Sequence, residues 1–205
     1  MATDTPTDPN PKPQAILDAA ERLFVRYGYR KSSMDDVARE AGIAKGTVYL
    51  YYAGKEALFR ALLERIGEAV ISASHAAAQA EQPFSERLFG VLDAMYGYFH
   101  ERFSDSGHLQ ELGEIRGSLG QDLSEQLRQR HLQILLELIE RAEAQGDVAL
   151  AARGLLPGDI ATLLIAASLG AKTMVPANAG TNAYTESLRN CTRVMCAAVA
   201  PVGPA

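Results

Sequence analysis

Three tyrosines, Tyr49, Tyr51 and Tyr52, crowd one short segment that follows Lys45 and Thr47 and precedes Lys55. Hydroxyls, ammonium groups and the free amides of a helix start are the donors that phosphate oxygens and base edges accept. Gly46 lies among them, where it lowers helix propensity. Its presence makes sense if the backbone must approach a nucleic acid closely. A second group, His108, Glu111 and Glu114, is spaced to share one helical face as metal ligands do. A di-iron bundle, however, needs Glu-x-x-His pairs on two helices, and no Glu stands three residues before His75, His100, His108 or His131. The chain also contains no GxSxG, HExxH, P-loop or dinucleotide fingerprint. No catalytic residue, metal site or cofactor is therefore expected, and a helical metal-dependent enzyme is the weaker alternative.

The elements that must position these residues are helices. Residues 1–13 hold four prolines among small polar residues and are expected to be a disordered tail. From Gln14, the spacing of Ile16, Ala19, Ala20, Leu23, Phe24 and Tyr27 predicts a helix, which Gly28 stops. Ser33 can cap the amide of Asp36 in a capping box with Asp in place of Glu, opening a short helix to Ala41. Gly42 turns the chain, and a third helix runs from Lys45 to Tyr51 or Tyr52. Val37, Ala41, Ile43 and Val48 would hold this pair together as a helix-turn-helix over 33–52. Further helices are predicted from about Lys55 to Ala80, from Ser85 to Phe103, from Gln121 to Gln145, from Pro157 to Val175 and from Thr181 to Ala200. The stretch 104–120 is ambiguous, with room for one short helix at His108–Leu112. No period-2 strand and no internal repeat is evident. The fold class is all-α, with a three-helix head and a C-terminal helical bundle, about nine helices in all.

Charge separates the same two parts. Residues 10–65 carry ten Lys/Arg against seven Asp/Glu, whereas residues 66–205 carry ten against sixteen. A basic head on an acidic body fits a phosphate-binding module joined to a ligand- or partner-binding trunk. The net charge of −5 argues against nonspecific coating of nucleic acid. The apolar uncharged run of residues 160–171 is shorter than the ~20 residues of a membrane span. The N-terminus has no secretory pattern, and Cys191 and Cys196 lie in an apolar stretch. A cytoplasmic protein with reduced thiols and no membrane partner is expected.

The tract AILDAAERLFVRYGYRKSSMDDVAREAGIAKGTVYLYYAGKEALFRALL closely resembles the N-terminal pattern of the TetR family of bacterial transcription regulators, and covers about a quarter of the chain. The resemblance implies a DNA-binding domain over 14–60 and an effector-binding and dimerisation domain over 61–205. It implies that Ser33 caps helix two and touches phosphate, that Lys45, Gly46 and Thr47 meet DNA at the start of the recognition helix, that Tyr49 and Tyr51 donate to phosphates, and that Lys55 binds a phosphate. Tyr52 stands where the family has a buried Phe. Ala44 and Gly54 depart from the pattern, each replacing a residue whose side chain usually caps a helix.

As a family member the chain would be a homodimer on palindromic double-stranded operator DNA, a repressor released by a small organic effector. A ligand-independent architectural DNA binder is the alternative. Candidates for the effector pocket are Met95, Tyr96, Phe99, His100, Phe103 and His131, apolar faces with polar or aromatic members. His108 and Arg116 flank the ambiguous stretch. Candidates for the dimer interface are Leu164, Ala167, Ser168, Ala171, Leu188, Cys191 and Met195, from the last two apolar helices.

Overall fold

The computed structural model describes residues 11–103, 106–175 and 182–201, and every regular element among them is helical. In chain order they are α1 (Pro11–Tyr27), α2 (Met34–Ala41), α3 (Lys45–Tyr51), α4 (Lys55–Gln79), α5 (Phe84–Leu92), a π-helical turn (Asp93–Gly97), α6 (Tyr98–Phe103), α7 (Leu109–Leu119), α8 (Gln121–Gln145), a 3₁₀ turn (Ala151–Arg153), α9 (Pro157–Met174) and α10 (Asn182–Val199). With α5, the π turn and α6 taken as one interrupted helix, the expected nine-helix layout is met. α1 starts at Pro11, three residues before the predicted start. Proline suits a first helical turn, whose N–H groups have no intrahelical partner anyway. The rest of the expected tail, residues 1–10, lies outside the described residues.

The chain divides into two compact units, one of residues 1–66 and 105–124, the other of 67–104 and 125–205. The sequence places a boundary after residue 60 and the whole 104–120 stretch in the trunk. In the structure α7 and its approach belong to the first unit, and α4 contributes residues to both.

In the first unit, Ile16, Ala20, Phe24, Val37, Val48 and Leu58 are buried, so α1 to α4 share one core. Phe24, Tyr29 and Phe59 form an aromatic triangle with ring centroids 5.1–5.8 Å apart. α7 is held to this unit at both ends. At its start, Glu111 accepts the backbone N–H of Arg30 at 2.6 Å, Glu114 pairs with the Arg30 guanidinium at 3.2 Å, and Ser106 donates to the carbonyl of Val25. Beyond its end, Arg60 grips Asp122 with two hydrogen bonds of 2.8 and 2.6 Å, which hold that carboxyl down at about 2. Glu111 and Glu114, weighed above as metal ligands, are thus committed to the loop after α1. Gly28 serves that contact twice. Its φ of 86° ends α1, and a Cβ there would stand 2.5 Å from Glu111 Oε2.

In the second unit, Ile71, Leu88, Leu92, Leu135, Leu138, Ile139, Leu164, Tyr184 and Leu188 belong to one continuous core. Pro157 occupies the first turn of α9, where Asp159 accepts the N–H of Leu156 at 2.8 Å. Phe84 follows Pro83 directly into α5 without a side-chain cap, so Ser85 falls inside the helix.

Candidate nucleic-acid interface

The turn that presents α3 is locally specified. Ser33 Oγ accepts from the N–H of Asp36 at 3.2 Å, and Asp36 accepts in return from the Ser33 N–H at 3.0 Å and its hydroxyl at 2.6 Å. These bonds hold the Asp36 carboxyl below the usual carboxylate range. Gly42 closes α2 in the left-handed region, φ 66°, its N–H directed at the carbonyls of Ala38 and Arg39. Ala44 then opens α3 with no side-chain cap, as its identity requires.

Val48 is fully buried and sets the orientation of α3. At 3.6 residues per turn, Gly46 and Leu50 both fall within about 20° of the direction opposite Val48. A Cβ added at Gly46 would meet nothing within 4 Å, so no internal neighbour requires glycine there. Leu50 is 84% exposed. Sequence reasoning missed Leu50, although counting two residues either side of the buried valine finds it. Thr47 lies on one flank of this outer direction and Tyr49 on the other, with Lys45 beside Tyr49. Tyr49 and Tyr51 are exposed and Tyr52 is half-buried, with burial pushing the Tyr52 phenol above its ordinary value.

The two candidate lysines differ. Lys45 is exposed and paired with Asp35 at 2.8 Å, and that hydrogen bond raises its affinity for the proton. Such an exposed pair is worth little, so a phosphate can take over the ammonium. Lys55 is otherwise engaged. Its ammonium donates to the carbonyls of Ser32 at 2.9 Å, Tyr29 at 3.0 Å and Arg30 at 3.4 Å, and sits 4.4 Å from the centroid of the Tyr29 ring. An ammonium has three donors, and all three are directed at one loop. This geometry makes Lys55 a clamp that ties the start of α4 to the loop entering α2.

In the second unit, the structure brings two of the pocket candidates together. Tyr96, on the π turn, meets His131 of α8 edge-on, with centroids 5.8 Å apart. Phe99 stacks with Phe103 at 6.1 Å in a separate pair, Met95 is half-buried, and the side chain of His100 lies outside the described residues. His131 is 1% exposed, with Nδ1 3.3 Å from Ser74 Oγ. Ser74 already donates to the carbonyl of Val70 at 2.9 Å, so Nδ1 carries the proton and Ser74 accepts it. Nε2 then has no partner among the described residues, and burial lowers this imidazole to about 4.

The dimer candidates divide by burial. Leu164, Ser168, Ala171 and Leu188 are all buried in the chain's own core, and Tyr184 donates to the Ser168 carbonyl at 3.1 Å. Ala167, Cys191 and Met195 are half-buried. The other side of the same helices is bare. Leu163, Leu169, Met174 and Val194 are 53%, 55%, 82% and 63% exposed.

Residues 16–62 match the family described as bacterial regulatory proteins, tetR family. The chain carries a TetR-type DNA-binding segment. It is therefore a DNA-binding transcription regulator of the helix-turn-helix type. It is 27% identical over 148 residues to the transcriptional regulator SrpR of Pseudomonas putida, covering 72% of this chain and 68% of that protein. A TetR transcription regulator of Haloarcula marismortui shares its fold with a TM-score of 0.70 at 21% identity, covering 93% of this chain and 98% of the other. SmeT, the repressor of the Stenotrophomonas maltophilia multidrug efflux pump SmeDEF, does so with a TM-score of 0.65 at 21% identity, over 93% and 91%. The TetR-type segment spans α1 to the first turns of α4 and so includes all of α3. No helix among its described residues is long and apolar enough to cross a membrane.

Proposed function

We propose that this regulator is a homodimeric repressor that reads a palindromic operator through the outer face of α3 and releases it when a small organic molecule binds in the second unit. The observation that carries the DNA reading is the bare outer direction of α3, where Gly46 has no neighbour and Leu50 has no cover. Thr47 on one flank meets a base edge. Lys45, Tyr49 and Tyr51 supply phosphate contacts, while the Ser33 cap of α2 and the Lys55 clamp order the loop behind them. Two such faces related by a two-fold axis would enter major grooves ~34–36 Å apart.

Repression is supported by the fold shared with SmeT, itself a repressor. Dimerisation is supported by the exposed apolar residues Leu163, Leu169 and Met174 of α9 and Val194 of α10, the kind of surface that subunit contacts cover. The effector site is supported by Tyr96 and His131, which present a buried acceptor amid apolar groups. α4 carries residues of both units and is the element through which effector binding would alter operator affinity, a coupling of about 1–3 kcal/mol.

Gly46→Glu tests the DNA reading with little structural risk. The new side chain points into open space, and Glu exceeds Gly in helix propensity by up to about 1 kcal/mol. Its carboxylate would face the phosphates and base edges. Thermal unfolding should be unchanged or raised, while affinity for duplexes enriched from a random pool should fall at least tenfold. Retained affinity would remove α3 from the DNA interface.

A further inference from the structure

We propose that Leu50 reads sequence, by packing against the C5-methyl of a thymine in each half-site of the operator. The inference rests on the DNA-binding role of α3 proposed above and adds what that helix selects. Single exposed leucines are common and need no explanation; the position of this one does. Leu50 and Gly46 together form the crest of α3 directly opposite its buried anchor Val48. The glycine removes the side chain that would hold the helix off, which brings the leucine against whatever α3 approaches.

Leucine has neither donor nor acceptor, so it cannot exploit the hydrogen-bonding pattern that separates G·C from A·T in the major groove. The one apolar group that a base presents there is the thymine methyl. The flanking groups are polar: Thr47 on one side, Tyr49 and Lys45 on the other. The operator half-site should therefore carry an A·T pair at the centre of the α3 footprint, bordered by polar contacts to bases and phosphates.

Duplexes enriched by the full-length protein from a random pool supply the probe. Each thymine is then replaced in turn by deoxyuridine, which removes only the methyl. Affinity should fall about fourfold per substituted half-site at one thymine position, the effect of exposing one methyl-sized apolar group. Leu50→Ala should bind the thymine and deoxyuridine duplexes equally, with an unchanged salt dependence, since no phosphate contact is lost. If no position is sensitive to the methyl, or if the sensitivity persists in Leu50→Ala, the inference is overturned while the DNA-binding role stands. Failure to enrich any duplex would overturn both.

Discussion

Leu163→Glu should give a folded monomer whose operator affinity is lower by about 100-fold or more. Leu163 is 53% exposed, whereas its neighbour Leu164 is 1% exposed. A charge at 163 therefore enters water in the isolated chain. In a dimer built on the exposed side of α9 and α10 the same charge would be buried in apolar contact, and two-fold symmetry would bury it twice. Several kcal/mol per buried, unpaired ion is enough to dissociate most dimers. Losing the second half-site forfeits the effective concentration that a linked pair provides, a factor of ~10²–10⁴. Sedimentation velocity and a DNA titration on the same sample would show both effects. Leu164→Glu is the contrasting variant and should fail to fold, because it places the charge in the core of the second unit. A Leu163→Glu protein that stays dimeric would move the interface to another surface.

The second large effect is a pH dependence of stability. His131 titrates near 4 in the folded protein because burial disfavours its cation, against ~6.5 unfolded. Its folded pKa is depressed, so between these values the unfolded chain binds a proton that the folded chain does not. Stability is then complete above about pH 6.5 and declines as pH falls toward 4, by about 3 kcal/mol in all and about 2 kcal/mol by pH 5. His131→Leu should abolish this contribution. It should also leave stability at pH 7 unchanged or raised, since it removes a buried acceptor that lacks a partner. Urea unfolding of both proteins at pH 7 and pH 5 isolates the difference, because every other titrating group is common to the two. Parallel losses in the two proteins would show that His131 is hydrated or exchanges with solvent.

Much of the head was legible in the sequence because its determinants are local. The Ser33–Asp36 box, the left-handed Gly42 and the spacing from Val37 to Val48 specify the turn without help from distant residues. Long-range features were not legible. Glu111 and Glu114 share a helical face in any reading, but only the fold shows that Arg30, about eighty residues earlier, occupies both. The sequence offers Lys55 as a phosphate ligand but cannot show its three intramolecular acceptors, because they are backbone carbonyls, which leave no trace in residue identity. On α9 the apolar residues run nearly all round, so spacing could not say which side faces inward. Ile160, Leu164, Ser168 and Ala171 do, and Leu163 and Met174 do not. The π turn at Asp93–Gly97 shifts the register of the residues after it, which a regular helical spacing does not anticipate.

The central claim is that two copies of α3 read one operator through successive major grooves. Hydroxyl-radical footprinting and major-groove methylation protection on an enriched duplex test it most directly. Two protected segments related by a two-fold axis are expected, with centres one helical turn or a whole multiple of it apart, ~34–36 Å per turn. Gly46→Glu should erase both together. A single protected segment, protection confined to the minor groove, or a footprint that survives Gly46→Glu would contradict it.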